Sequence, residues 1–205
     1  MLVKICGITN LEDALVAVDA GANALGFNFY RPSPRYIDPQ FARAIIDQLP
    51  LDILTVGVFV NEHSPDTIER IAAEAGVGAL QLHGDESPDY CAKLKNKYVI
   101  KVLAVKQGFE PARARDYDVQ AIMLDAFDRM LRGGTGHTVD WSIARQTRDL
   151  IPKLFLAGGL SAENVAAAIT VVKPFAVDAC SALEILPGKK EPKRVRAFVK
   201  AAKGE

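Results

Sequence analysis

The feature that most constrains the fold is the alternation of eight short apolar runs with amphipathic stretches along the whole chain. The runs are bounded by turn residues, which is typical of buried strands. The stretches between them repeat apolar residues at helical spacing; several begin with Asn, Ser or Asp, and some end at Gly. The predicted strands are residues 3–6, 24–29, 53–59, 79–83, 99–105, 121–125, 153–158 and 175–179.

Eight strands that are each followed by a helix or loop predict a parallel sheet with crossover helices. The count of eight favours a closed (β/α)8 TIM barrel, and 205 residues lie near the lower size limit of that fold. A doubly wound open sheet is the alternative. No linker, low-complexity tract or charge run divides the chain. We therefore expect a single α/β domain over residues 1–205.

Charge and cysteine usage narrow the class of function. Lys and Arg total 25, as do Asp and Glu, so the formal net charge is zero and favours neither a nucleic-acid nor a membrane partner. The apolar runs are too short to span a bilayer, and the N-terminus lacks a signal-peptide pattern, so we expect a cytoplasmic protein. The three cysteines have no metal-ligand spacing and cannot all pair. The residues give no indication of oligomeric state.

Polar residues gather where the predicted strands end, and in (β/α)8 barrels the chemistry is located at those carboxyl ends. Lys4 and Cys6 lie on the same side of the first strand because side chains alternate along a strand. Cys6 is either a buried packing residue or a thiol that faces the cleft at the following Gly-Ile-Thr turn. In the second case Lys4 could supply the positive charge that favours a thiolate.

Asp125 closes the sixth strand and is a candidate acid. As an alternative it could form a cap or a salt bridge. Paired with a thiol across the barrel mouth, it would complete a general acid/base pair. Asp128, three residues later, is expected to be solvated, and His83 is either a structural histidine or a substrate contact.

Two loops predict binding of anionic groups. Arg35 follows the second strand in PSPRY, where its planar guanidinium suits a substrate carboxylate, although a loop arginine can also be simply exposed. Gly158 and Gly159 after the seventh strand permit close backbone approach. After the eighth strand, the amides of Ser181 and Ala182 in a short extra helix could point at a phosphate, which barrels often bind between these last two loops.

Several short motifs occur in a characteristic order. They are KICGIT (4–9), SPRY (33–36), GVFVN (57–61), QLHGDE (81–86), LDA (124–126), GGTG (133–136) followed by VDW, LAGGL (156–160) and PGKK (187–190). This order resembles the phosphoribosylanthranilate isomerase family over nearly the whole chain. The combination of KICGIT with QLHGDE is specific, whereas LAGGL alone would fit many phosphate-binding barrels.

The resemblance implies a (β/α)8 barrel that acts in tryptophan biosynthesis on a small-molecule substrate. The implied reaction is the Amadori rearrangement of N-(5-phosphoribosyl)anthranilate to 1-(2-carboxyphenylamino)-1-deoxyribulose 5-phosphate, with no metal or organic cofactor. By motif, Cys6 matches the general base, Asp125 the general acid and Arg35 the contact to the anthranilate carboxylate. The chain departs from the family's usual Ser-Ser-Gly after strand eight, where it has Cys-Ser-Ala at residues 180–182.

Three other functions are weighed against this one. A Schiff-base aldolase would use Lys4 as nucleophile. The related barrel that isomerises a histidine-pathway aminoaldose is expected to use paired aspartates, which the cysteine at position 6 disfavours. A non-catalytic sugar-phosphate-binding barrel would need the glycine loops but not the thiol and carboxyl pair.

Overall fold

The computed structural model describes residues 1–126 and 139–205, and eight parallel strands in it close into a barrel. The strands are β1 (Leu2–Cys6), β2 (Ala24–Asn28), β3 (Leu54–Phe59), β4 (Ala79–Leu82), β5 (Tyr98–Val105), β6 (Ala121–Ala126), β7 (Leu154–Leu156) and β8 (Ala176–Ala179). Each strand pairs with its sequence neighbours, and β1 pairs in parallel with both β2 and β8. This last pairing closes the ring, so the barrel prediction is confirmed and the open sheet is excluded.

The predicted strands are all present, with differences only at their ends. The largest is in β7, predicted over 153–158 but observed at Leu154–Leu156. Gly158 and Gly159 have φ values of 83° and 63°, which a strand cannot accommodate, so the chain turns away from the ladder there.

Helices cover the outside of the ring. They are α1 (Leu11–Asp19), α2 (Pro39–Ile46), α3 (Pro65–Ala75), α4 (Pro88–Ala92), α5 (Trp141–Leu150), α6 (Val165–Val172) and α7 (Pro192–Lys203), with 3-10 helices at Pro111–Asp116 and Ser181–Leu183. Local sequence sets their ends. Asn10 accepts a hydrogen bond from the Asp13 amide to begin α1, and Gly76, at φ 74°, ends α3 in the left-handed conformation that glycine favours. A short antiparallel hairpin, β9 (Glu184–Leu186) with β10 (Lys189–Lys190), precedes α7.

The barrel interior changes from apolar to polar along the strands. Its apolar part is a separate core cluster of buried residues: Ala24, Val56, Ala79, Ile100, Val102, Ala121, Met123, Phe155, Ala157 and Ala176. Because side chains alternate, the next inward positions of β1 and β8 are Lys4 and Asp178. The fold therefore places an apolar layer inside the barrel and a polar rim at the carboxyl ends of the strands.

Asp128 and the GGTG motif of the sequence analysis lie outside the described residues. In the two described segments, no helix is both long enough and apolar enough to cross a bilayer.

Candidate active site

A cavity of about 340 Å³ opens at the rim formed by the carboxyl ends of the strands. All eight predicted site residues line it: Cys6, Arg35, His83, Asp125, Gly158, Gly159, Ser181 and Ala182. Cys6 on β1 and Asp125 on β6 are three strand steps apart one way around the ring and five the other. The thiol and the carboxyl therefore approach the same cavity from well-separated parts of the barrel wall.

Cys6 is the last residue of β1, and its side chain points inward. It is 9% exposed, and Gly26 on the neighbouring strand leaves the room that it occupies. A Cβ atom on Gly26 would lie 2.7 Å from the Cys6 sulfur and 3.1 Å from Lys4 Nζ. Because Gly26 has no side chain, the Cys6 sulfur and the Lys4 ammonium can both lie next to it.

The Lys4 ammonium is buried and forms an ion pair with Asp178 at 2.7 Å. Burial alone would lower the pKa of Lys4, but the charges of Asp178 and Cys6 outweigh it and raise that pKa. Burial raises the pKa of Asp178 to about 6, although the Lys4 charge opposes that shift. A permanently charged, ion-paired ammonium is unsuited to form a Schiff base, which argues against the aldolase alternative.

The pKa of the Cys6 thiol is lowered well below its ordinary value. The main cause is a hydrogen bond with the thiol of Cys180; burial opposes the shift, and the positive charges of Lys4 and Lys190 add to it. The same hydrogen bond, together with burial, raises the pKa of Cys180. Of the two thiols, Cys6 is therefore the one that loses its proton first.

Asp125 belongs to a chain of three side chains on the opposite part of the rim. His83 Nε2 lies 3.2 Å from Asp125 Oδ2, and Gln81 Nε2 lies 3.0 Å from His83 Nδ1. The other Asp125 oxygen accepts a hydrogen bond from the Ala126 amide at 2.8 Å. With this orientation of the Gln81 amide, Nδ1 of His83 accepts, so the other ring nitrogen, Nε2, carries the hydrogen and lies next to Asp125. The buried Gln81 Oε1 has no hydrogen-bond partner among residues 1–126 and 139–205.

Arg35 is held by a partner that the sequence did not predict. Its Nε and Nη2 donate to both oxygens of buried Glu184, at 2.8–3.1 Å. Lys190 Nζ donates to the same carboxylate at 2.9 Å. Burial would raise the pKa of Glu184, but the hydrogen bond from Arg35 and the charge of Lys190 lower it overall. The pairing uses one edge of the guanidinium, so the Nη1 edge is the one that can meet a ligand in the cavity.

The loop that presents Arg35 is ordered by its own side chains. The Ser33 hydroxyl accepts hydrogen bonds from the Arg35 amide and from Asn28 Nδ2, each at 3.1 Å. Asn28 Oδ1 in turn accepts from the Tyr30 amide at 2.9 Å. Arg35 is thus fixed at both its backbone and its side chain.

The glycine turn after β7 and the 3-10 helix after β8 lie beside each other at the cavity wall. A Cβ on Gly158 would lie 2.5 Å from the Ala126 nitrogen, so only glycine fits there. After this turn α6 begins at Val165, and the Asn164 side chain bridges the turn by accepting from the Ser161 amide and donating to the Gly159 carbonyl.

Four cavity or near-cavity residues were not among the predicted site residues: Gln81, Asp178, Glu184 and Lys190. The sequence signals for these four residues are weak. Gln81 and Asp178 stand near strand ends, and Lys190 belongs to the PGKK motif, but nothing local to Glu184 indicates that it would hold Arg35. Within the described segments, no three or more His, Cys, Asp and Glu side chains are grouped so as to hold a metal ion.

Comparisons with known proteins agree with this geometry. A family model described as N-(5'phosphoribosyl)anthranilate (PRA) isomerase matches residues 3–201. The N-(5'-phosphoribosyl)anthranilate isomerase of Trichlorobacter lovleyi is 46% identical over 201 residues, which are 98% of this chain and 97% of that protein.

Solved structures match over the full length. The structure of phosphoribosyl anthranilate isomerase from Thermotoga maritima superposes with a TM-score of 0.92 at 45% identity, covering 100% of both chains. A phosphoribosyl anthranilate isomerase in complex with reduced 1-(o-carboxyphenylamino)-1-deoxyribulose 5-phosphate matches with a TM-score of 0.88, also at 45% identity and full coverage of both chains. This chain therefore belongs to the N-(5'-phosphoribosyl)anthranilate isomerase family.

Proposed function

We propose that this chain converts N-(5'-phosphoribosyl)anthranilate to 1-(2-carboxyphenylamino)-1-deoxyribulose 5-phosphate in tryptophan biosynthesis, with Cys6 as general base and Asp125 as general acid. Membership of the isomerase family supports the reaction. The observation that carries the two roles is that a thiol of lowered pKa and a carboxyl group line one cavity from separate strands.

The acid acts first. Asp125 donates a proton to the ring oxygen of the ribose as the bond from that oxygen to C1 breaks, and the nitrogen lone pair forms a protonated Schiff base. His83 Nε2 lies 3.2 Å from the same carboxyl group, and both side chains line the cavity. A positioned acid of this kind contributes ~10²–10⁴-fold.

The base acts second. The Cys6 thiolate removes the proton from C2, and the electrons of that C–H bond move to the iminium nitrogen and give an enolamine. The enolamine then tautomerises, as C1 gains a proton and the C2 hydroxyl loses one, to give the ketone. The iminium is the electron sink, so the chemistry needs no further group to accept electrons.

The two ends of the substrate would be held on either side of the reacting carbons. The Nη1 edge of Arg35 suits the anthranilate carboxylate, because the other edge is already fixed by Glu184. The backbone at Gly158, Gly159, Ser181 and Ala182 suits the phosphate, since close approach and free amides favour an anion. Holding both ends reduces the motion of C2 between the two catalytic groups.

The test is to mix the purified protein with freshly generated phosphoribosylanthranilate and to follow the loss of its fluorescence, with Cys6→Ser as the control. We expect the substrate signal to decay with the wild type at least ~10²-fold faster than with the variant. If the wild type binds substrate without consuming it, the non-catalytic sugar-phosphate barrel replaces this proposal. A borohydride-trapped adduct on Lys4 would favour the aldolase instead. The cytoplasmic location stays a prediction.

A further inference from the structure

Two cysteines stand side by side where the barrel closes. In the parallel pairing of β1 with β8, Lys4 lies opposite Asp178 and Ile5 lies opposite Ala179. Cys6 is the next residue of β1, and Cys180 directly follows the last residue of β8. Ring closure therefore brings together two thiols that are far apart in sequence.

The two thiols also point to the same side. The Lys4 and Asp178 side chains meet inside the barrel at 2.7 Å, and alternation along β1 returns Cys6 to that face. Cys180 directly follows β8 and lines the same cavity. Both cysteines line the cavity, and each thiol is the strongest influence on the pKa of the other. Neighbouring strands lie ~4.8 Å apart, within the Cα separation of ~4.4–6.8 Å that a disulfide requires.

The space around Cys180 is left free by a glycine. A Cβ on Gly7 would lie 2.9 Å from the Cys180 sulfur, so a larger residue at position 7 would displace it. Lys190 Nζ lies 3.8 Å from the same sulfur, and so does Glu184 Oε1. The ammonium favours transient thiolate formation at Cys180, while the carboxylate disfavours it.

We propose that Cys6 and Cys180 form a site of reversible oxidation by peroxides. The Cys6 thiolate attacks one peroxide oxygen, the O–O bond breaks, and Cys6 becomes a sulfenic acid while the other oxygen leaves as hydroxide or alkoxide. Cys180 then attacks the Cys6 sulfur; its thiol proton joins the departing hydroxyl, the S–O bond breaks, and water leaves. The two thiols together supply the two electrons that reduce the peroxide.

Cys91 is the internal control for this site. It is fully buried in α4, outside the cavity, and burial raises its pKa to about 11. A thiol that is protonated and enclosed reacts slowly with peroxide. We therefore expect peroxide to oxidise Cys6 and Cys180 and to leave Cys91 reduced.

The functional consequence rests on the proposed function. A disulfide would remove the thiolate that is the proposed base and would add a covalent bridge to the cavity wall, so isomerisation would stop until the bond is reduced. The chemical measurement below does not use activity, so the two proposals can fail separately.

The experiment treats the full chain with a small excess of hydrogen peroxide at neutral pH, then measures free thiols, intact mass and the linked peptides before and after dithiothreitol. We expect free thiols to fall from three to one, a mass loss of about 2 Da, and a linked pair of peptides that carry Cys6 and Cys180. Dithiothreitol should restore all three thiols. Cys91→Ser should form the same disulfide.

The role of Cys180 as the thiol that attacks the oxidised Cys6 sulfur is tested with two variants, Cys180→Ser and Cys180→Ala. Each is first checked for folding by circular dichroism. Without the second thiol, Cys6 should gain oxygen atoms and become a sulfinic acid that dithiothreitol does not reverse. The proposal is overturned if wild-type Cys6 itself accumulates as sulfinate beside a reduced Cys180. It is equally overturned if the disulfide involves Cys91 or a second chain, or if Cys6 oxidises no faster than Cys91.

Discussion

Cys6 and Asp125, the proposed base and acid, stand on parts of the cavity wall that differ sharply in their surroundings. The base side consists of Lys4, Cys6, Asp178 and Cys180 on and beside β1 and β8. Its ion pair is sealed, with side-chain exposures of 0% for Lys4 and 9% for Asp178. The acid side consists of Gln81, His83 and Asp125 on and beside β4 and β6. Its ionisable pair is more open, with 26% for His83 and 13% for Asp125.

This difference suits the two tasks. Charges act more strongly on one another where water is excluded, so a buried ammonium can keep a thiol deprotonated at neutral pH. An acid that must be reprotonated in each cycle needs a path for protons from solvent. The partly exposed His83 and the cavity provide one for Asp125. The barrel thus separates the base side, where a buried ammonium stays charged, from the acid side, where protons can exchange with the cavity.

The largest expected effect comes from removing either reacting group. Cys6→Ser and Asp125→Asn should each lower turnover by ~10²–10⁴-fold with little change in KM, because each acts on the transition state rather than on binding. Steady-state kinetics by substrate fluorescence measures this. Cys91→Ser, which alters a thiol outside the cavity, should stay near wild type. An Asp125→Asn variant with most of its activity would transfer the acid role to His83 or Asp128.

Next in size is the loss of the buried ion pair on the base side. Lys4→Met should lower the free energy of unfolding by about 3–5 kcal/mol, since it leaves the Asp178 carboxylate buried without a partner. Denaturant titration measures it, and Lys200→Met on the exposed face of α7 should change stability by less than about 0.5 kcal/mol. Equal effects from the two lysines would mean that the base side is not sealed in solution.

The pH dependence of alkylation sharpens the contrast between thiols. The pKa of Cys6 is lowered, so its rate with iodoacetamide should level off at a lower pH than that of an ordinary thiol. Burial raises the pKa of Cys91 to about 11, so its rate should climb through the alkaline range. At neutral pH the rates should differ by at least ~10²-fold. Parallel pH profiles for the two thiols would contradict this prediction.

The smallest effect is expected where the binding arginine is only reoriented. Glu184→Gln keeps the shape of the side chain but weakens its hold on Arg35, so KM should rise by about tenfold with kcat nearly unchanged. Arg35→Ala should weaken the binding of the carboxylate-bearing substrate more than the binding of an analogue without the carboxylate. Equal weakening of both ligands would remove Arg35 from carboxylate recognition.

The Glu184 variant also has a pH signature in stability. The folded pKa of Glu184 lies below its ordinary value of 4.5, so its contribution to stability is present above that pH and is lost as the pH falls through the folded value. The free energy of unfolding of Glu184→Gln should therefore depend less on pH in the acid range than that of the wild type. Denaturant titrations at neutral and acidic pH compare the two chains.

Much of the barrel could be predicted from sequence because its signals are local. Period-two alternation placed Lys4 and Cys6 on one face of β1, and the apolar runs located all eight strands to within a few residues. Their positions at the carboxyl ends of predicted strands then indicated that Cys6 and Asp125 are cavity residues. The predicted end of β7 was wrong, because Gly158 and Gly159 take positive φ values and turn the chain away from the sheet.

The pattern of the chain by itself determined which side chains face inward and at which end of each strand the polar ones gather. Only the tertiary structure decided which of them meet: Lys4 with Asp178 across 174 residues, Arg35 with Glu184 across 149, and the Cys6 thiol with that of Cys180. The reason is physical. Periodicity is a property of neighbouring residues, whereas these contacts exist only because the first strand pairs with the eighth, and their energies depend on the burial that this closure creates.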